Sequence, residues 1–223
     1  MRRTTSTPNE RAHMKIGIIG AGHIGGTLTR RLAEAGHEVA VANSRGPESL
    51  AALAAESGAK AVTVEEAARD KDVVIVTIPL KASAELPKGL FSSGGTQPVV
   101  VDTGNYYPQR DGRIDALERG TPSSRWVAEQ IGRPVVKAFN TIHAKHLAER
   151  GRPKGDAGRM AVSIAGDESA AKAVVLELIE DLGFDGVDAG SLDESWRQEP
   201  GTPVYGAALG AEATRKAIAD AKR

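Results

Sequence analysis

The chain has 223 residues, 40% of them hydrophobic and only 4% aromatic, enough for one full domain and a small second unit around an aliphatic core. Its 29 acidic and 29 basic residues cancel, which argues against a nucleic-acid or anionic-membrane partner needing a basic field. Cysteine is absent, which excludes disulfides, thiolate metal sites and a catalytic thiol.

Residues 1–13 are polar, with Arg2 and Arg3 but no apolar core behind them. They are expected to form a disordered tail, not a signal peptide or a twin-arginine signal, on a cytoplasmic protein. The longest apolar run, Val73 to Leu80, is eight residues long, far short of a membrane span.

An apolar strand from Met14 runs directly into Gly20-Ala21-Gly22-His23-Ile24-Gly25, and a helix follows at once. In this motif Gly20 permits the tight turn and Gly22 lets backbone approach a pyrophosphate. Gly25 lets helix and strand pack closely, while the helix N-terminus aims unpaired N–H groups at the anion. Ile24, Leu28, Leu32 and Ala35 recur at helical spacing, and Gly36 is placed to end the helix. His37–Ala42 is expected as the second strand. At its end an NAD-binding chain usually carries Asp or Glu for the ribose hydroxyls. Here the residues are Asn43-Ser44-Arg45-Gly46-Pro47. No acid repels a 2′-phosphate, Ser44 can donate to it, and Arg45 can grip it with a planar fork. The cofactor expected is NADP(H).

Strand and helix signals then alternate: a helix over Pro47–Ser57, a strand near Ala61–Thr63, a helical turn over Glu65–Arg69 and a fourth strand over Asp72–Pro79. In such a sheet the fourth strand lies beside the first, across the switch point where ligands bind, so Ile78 and Pro79 are expected at the nicotinamide end. A fifth strand over Val99–Asp102 opens into Thr103–Pro108. Ser123 or Ser124 is expected to cap a helix reaching Ile131, and a sixth strand covers Pro134–Phe139. Strands at Met160–Gly166 and Phe184–Asp188 flank a helix over Asp167–Leu182. Residues 151–159 form a basic loop, 191–205 are expected to be mostly irregular, and a last helix starts near Ala207. The predicted class is α/β: a doubly wound parallel Rossmann sheet over 14–139, with a small C-terminal α/β segment and terminal helix over 140–223.

Four segments carry a family resemblance: Ile16–Gly25, Asn43-Ser44-Arg45, Val136–Ile142 and Asp181–Gly190. Together they resemble the NADPH-dependent reductases of 8-hydroxy-5-deazaflavin (coenzyme F420), in order across residues 14–192. The resemblance implies reversible hydride transfer between NADP(H) and the deazaflavin as co-substrate, usually in a homodimer. It places Ala21, His23 and Ile24 along the pyrophosphate, and Ser44 and Arg45 on the 2′-phosphate. Ile78 and Pro79 would flank the nicotinamide, with Ala138 and Asn140 bordering the acceptor cleft. Two segments depart from the family pattern: Asp102–Tyr107 is more polar and aromatic, and Leu192–Tyr205 replaces an apolar run.

Hydride transfer between two flat rings needs stacking and exclusion of water, not a triad or a metal, so no catalytic or metal-ligating residue is assigned. Asn105, Tyr106 and Thr141 are the candidate substrate-binding residues. Asn105 and Asn140 could hold a carbonyl oxygen or cap local backbone. A ketone or imine reductase would also need a proton donor, for which Tyr106, Tyr107, His143 and His146 are the candidates. Trp196 could cover the substrate edge, and Arg152, Lys154 and Arg197 could meet an acidic tail. Two alternatives stand beside the deazaflavin reaction: reduction of a small imine or carbonyl, and a non-catalytic NADP(H)-binding sensor.

Overall fold

Ile16, Ile18, Val39, Val41, Val73, Ile75 and Val101 alternate along their strands and point to one face, where Leu28 and Leu32 cover them. Ile19, Val74, Val76 and Val100 face the other way, onto Ala67, Ala68, Leu90 and Phe91. Two apolar faces demand two covering layers, which is the reason for the three-layer architecture. The computed structural model describes residues 13–92, 94–95 and 97–223; of the expected N-terminal tail, all but His13 lies outside the described residues.

The first half runs β1 (Lys15–Ile19), α1 (His23–Glu34), β2 (Glu38–Ala42), α2 (Ala51–Ser57), β3 (Lys60–Ala61), α3 (Val64–Ala68), β4 (Val73–Val76) and β5 (Val99–Asp102). Then come α4 (Pro108–Asp111), α5 (Asp115–Glu118), α6 (Ser123–Ile131), β6 (Val136–Ala138) and α7 (Ala144–Glu149). The chain closes with β7 (Ala161–Ala165), α8 (Ser169–Asp181), β8 (Asp185–Asp188) and α9 (Ala211–Asp220). The strands of the described residues form one eight-stranded sheet, ordered β3-β2-β1-β4-β5-β6-β7-β8. Neighbours are parallel except β6 and β7, which pair antiparallel through Lys137 with Ala165 and Ala138 with Ile164. The fold is a Rossmann-like, mostly parallel α/β sheet, and β4 lies beside β1 as the switch-point argument requires.

The sheet and its core continue past residue 140. Val162, Ile164, Leu178, Ile179 and Phe184 belong to the same buried cluster as Ile16, Ile18 and Leu28. Each such side chain contributes about 1.5–3 kcal/mol on burial, so the two parts of the chain stabilise one another.

Several local expectations are corrected. The helix expected over 47–57 starts as a 3-10 turn at Pro47–Leu50. The fourth strand stops at Val76, before Pro79; the Thr77 N–H still donates to the Ile19 carbonyl at 2.8 Å, and the chain then peels away. Ser123 and Ser124 do not cap α6: Pro122 holds that position, and both hydroxyls bind the side chain of Lys137 instead. Within 191–205, Leu192–Gln198 is a 3-10 helix, and the last helix begins at Ala211.

Candidate functional site

The β1–α1 turn is built by close contact. Gly20 has φ +108°, a left-handed conformation that suits glycine, and a Cβ on Gly25 would lie 1.9 Å from the Gly20 carbonyl oxygen. A Cβ on Gly22, by contrast, would meet nothing within 4 Å. Gly22 is the N-cap of α1, and no side chain caps that helix. The N-terminus of α1 therefore has no side-chain cap and no side chain on Gly22 in front of it, a geometry that suits an anion.

A cleft of about 860 Å³ opens here, between the ends of β1, β2 and β4. It is lined by Gly20, Ala21 and Gly22, by Asn43, Ser44 and Arg45, and by Ile78 and Pro79. The Asn43 side chain is consumed in the turn: its Oδ1 accepts from the Arg45 N–H at 2.9 Å and its Nδ2 donates to Ser49 Oγ at 2.9 Å. The Ser44 and Arg45 side chains are exposed, and among the described residues the Arg45 guanidinium has no ion-pair partner. His23 is exposed at the helix start, while Ile24 packs against the core and Gly25 is buried beneath the turn.

The polar apparatus beyond β5 and β6 is more extensive than the sequence indicates. Lys137 has no exposed surface. Its ammonium donates to the Gly104 carbonyl at 3.1 Å, Ser123 Oγ at 2.8 Å and Ser124 Oγ at 2.9 Å, which uses all three protons. Ser124 in turn donates to Asp102 Oδ2 at 2.6 Å, and Asp102 Oδ1 accepts from the Gly104 N–H. A buried cation and a buried carboxylate are thus joined through one hydroxyl and pin the loop after β5.

At the end of β6, Phe139 is buried with φ +60°, a strained conformation for a bulky residue that turns the chain sharply into Asn140. Asn140 Nδ2 donates to Asn105 Oδ1 at 3.0 Å and to the Gln198 carbonyl at 2.6 Å, and Gln198 Nε2 donates back to Asn140 Oδ1 at 3.1 Å. Of the two roles open to Asn105 and Asn140, these bonds fill the structural one. Thr141 is buried, and its carbonyl accepts from the Gly206 N–H. Ala138 has no exposed surface and supports the cleft from within the core instead of bordering it.

The two neighbouring tyrosines differ. The Tyr106 hydroxyl accepts from the Ile114 N–H and lies 2.7 Å from Glu118 and 3.2 Å from the Gly112 carbonyl, so it is committed to its own loop. The Tyr107 hydroxyl meets that of Tyr205, and Arg110 lies 5.0 Å from the Tyr107 ring centre. Asp111 anchors this loop by accepting from the Tyr107 N–H at 3.0 Å and pairing with Arg110 at 2.8 Å. Burial would raise the Asp111 pKa, but the Arg110 and backbone donors hold it below the usual carboxylate range. Burial pushes the Tyr205 phenol up to about 12, with the Tyr107 hydrogen bond adding to it.

The remaining candidates make the following contacts. The guanidinium groups of Arg197 and Arg223 lie over the Trp196 ring, 4.5 and 5.0 Å from its centre, and Arg197 also pairs with Glu194. Arg152 and Lys154 pair with Asp156 and Glu180. His143 and His146 make an edge-on ring contact with centres 5.7 Å apart. Lys137, Gln198 and Tyr205 were not anticipated. The only local signal was a lysine inside the apolar run Val135–Phe139, a position where a buried cation demands partners.

Residues 15–106 match the family model described as NADP oxidoreductase coenzyme F420-dependent. Metalloreductase STEAP3 of Rattus norvegicus is 32% identical over 179 residues, which cover 80% of this chain and 34% of that protein. The chain spans less than half the length of the curated relatives it matches. Among solved structures, a hypothetical protein from Sinorhizobium meliloti superposes with TM-score 0.74 at 34% identity, covering 90% of this chain and 97% of the other. A protein of Arthrobacter sp. FB24, provisionally assigned as an F420-dependent NADP reductase, superposes with TM-score 0.62 at 25% identity, covering 80% and 86%. Among the described residues, no helix is long and apolar enough to cross a membrane.

Proposed function

We propose, for a chain that belongs through residues 15–106 to the NADP oxidoreductase coenzyme F420-dependent family, hydride transfer between NADP(H) and a flat acceptor, with the 8-hydroxy-5-deazaflavin coenzyme as the best match. The observation that carries the cofactor half is the pairing of an uncapped α1 N-terminus with an open Gly22 and an exposed Arg45 that has no ion-pair partner among the described residues, at the end of β2. Backbone N–H groups there suit a pyrophosphate, and Ser44 and Arg45 suit a 2′-phosphate where an acid would favour NAD. Bound NADP(H) supplies or accepts the hydride. Ile78 and Pro79 offer its nicotinamide an apolar border that excludes water.

The acceptor half rests on the family and on the likeness to the Arthrobacter protein. Its test is spectroscopic: mix the purified protein with NADPH and oxidised deazaflavin, and follow the deazaflavin's visible absorbance, with NADH as control. Bleaching with NADPH and little with NADH is expected. Tight NADPH binding with no bleaching would refute the deazaflavin assignment while leaving the NADP(H) site in place, and imines and small carbonyls would then be the acceptors to assay.

A further inference from the structure

We infer that the paired hydroxyls of Tyr107 and Tyr205 are the proton donor on the acceptor side of the cleft, a conclusion that rests on the hydride-transfer function proposed above. Two hydroxyls carry two protons, and only one can lie in the bond between them. The second has no acceptor among the described residues, whereas the neighbouring Tyr106 hydroxyl is fully engaged. Both rings are half-buried, so the spare donor stands at the edge of the protein, not in its core.

Its position connects it to the cofactor cleft. Tyr107 follows β5, and its N–H donates to Asp111, whose carboxylate also accepts from the backbone of Lys81, two residues beyond Pro79. Tyr205 precedes Gly206, whose N–H donates to the Thr141 carbonyl beyond β6. The pair therefore links the loops after β5 and β6, with Asp111 as a hydrogen-bonded step between Tyr107 and the segment that follows Pro79. The Arg110 guanidinium over the Tyr107 ring, its charge shared with Asp111, offsets part of the cost of the phenolate left behind when the proton departs.

The chemistry balances. A hydride leaves the dihydronicotinamide and forms a C–H bond at an acceptor carbon that belongs to, or is conjugated with, a C=N or C=O bond. The displaced π pair moves to the nitrogen or oxygen, which takes the phenol's proton. NADPH is oxidised to NADP⁺, the acceptor is reduced by two electrons, and the phenolate regains its proton from water. A deazaflavin and a small imine both fall in this acceptor class.

The test uses the full chain with Tyr107→Phe, Tyr205→Phe and the double variant, followed by single-turnover NADPH oxidation across pH and by NADPH binding. Each single variant is expected to slow hydride transfer by about 100-fold at unchanged NADPH affinity, the double variant being no worse than the slower single one. The wild-type rate should still be level at about pH 9, where the raised Tyr205 phenol keeps its proton, while the variants, drawing protons from solvent, lose about tenfold per pH unit. Variants within about threefold of wild type and with the same pH profile would overturn the inference. A wild-type protein that binds NADPH but reduces neither the deazaflavin nor imines and carbonyls would overturn the underlying function instead.

Discussion

Lys137 shows how a single residue can organise a site it does not enter. A lysine with no exposed surface survives only if its charge is solvated by protein, and the Gly104 carbonyl, Ser123 and Ser124 do this while Asp102 balances the charge through Ser124. Lys137→Met would leave Asp102 buried and charged without its counterpart, at a cost of about 3–5 kcal/mol in denaturant unfolding. A loss below about 1 kcal/mol would show that the network contributes little. His37 provides a second residue-scale prediction. Its Nε2 lies 3.3 Å from Asp181, but burial outweighs that attraction and holds its pKa below the usual 6.5. Protonation therefore favours the unfolded chain, so stability is fully present above pH 6.5 and is lost as pH falls from there through the folded-state value. Melting temperature should drop between neutral and mildly acid pH, with a shallower slope in His37→Gln.

The elements near the cofactor cleft were legible because their determinants are local. The glycine triplet, the stripe through Leu28 and Leu32, and the missing acid after β2 all lie within about 30 residues, and each states its chemistry in place. The structure separates the three glycines by role, and that separation can be tested. Gly22→Ala should fold within about 1 kcal/mol of wild type, since its Cβ meets nothing, yet lose NADPH affinity by tenfold or more because the methyl occupies the anion's approach. Gly25→Ala places a carbon 1.9 Å from the Gly20 carbonyl oxygen and should cost about 3 kcal/mol or more in stability. Equal binding losses at equal stability in the two variants would contradict this division. The 3-10 helix at Leu192–Gln198 was not legible, because partners far along the chain hold it: the Leu192 N–H donates to Asp167 and the Gln198 carbonyl accepts from Asn140. The hydroxyls of Ser123 and Ser124 resembled caps in sequence, and only the β6 lysine beside them redirects those groups.

Across the whole molecule, one sheet and one principal core join the nucleotide-binding strands to the C-terminal segment. Removing residues 144–223 would bare the β6 edge and strip Val162, Ile164, Leu178 and Phe184 from the cluster that holds Ile16 and Leu28. The truncated chain is expected not to fold cooperatively; a sharp melting transition in that fragment would contradict the shared core. This scale also explains why the cleft lining at the ends of β1 and β2 was legible in the sequence and the polar contacts beyond β5 and β6 were not. Ser44 and Arg45 are adjacent in sequence, whereas Tyr107 meets Tyr205, and Asn140 meets Gln198, only after six parallel strands are in place and β7 reverses direction. Ser44 and Arg45 are proposed to make the cleft selective for NADP(H). The most direct test of that proposal is the dissociation constants of NADPH and NADH for the wild-type chain and Arg45→Ala. Wild type should prefer NADPH by about tenfold to a hundredfold, and the variant should lose most of that preference. NADH binding as tightly as NADPH, or a preference unchanged by Arg45→Ala, would contradict it.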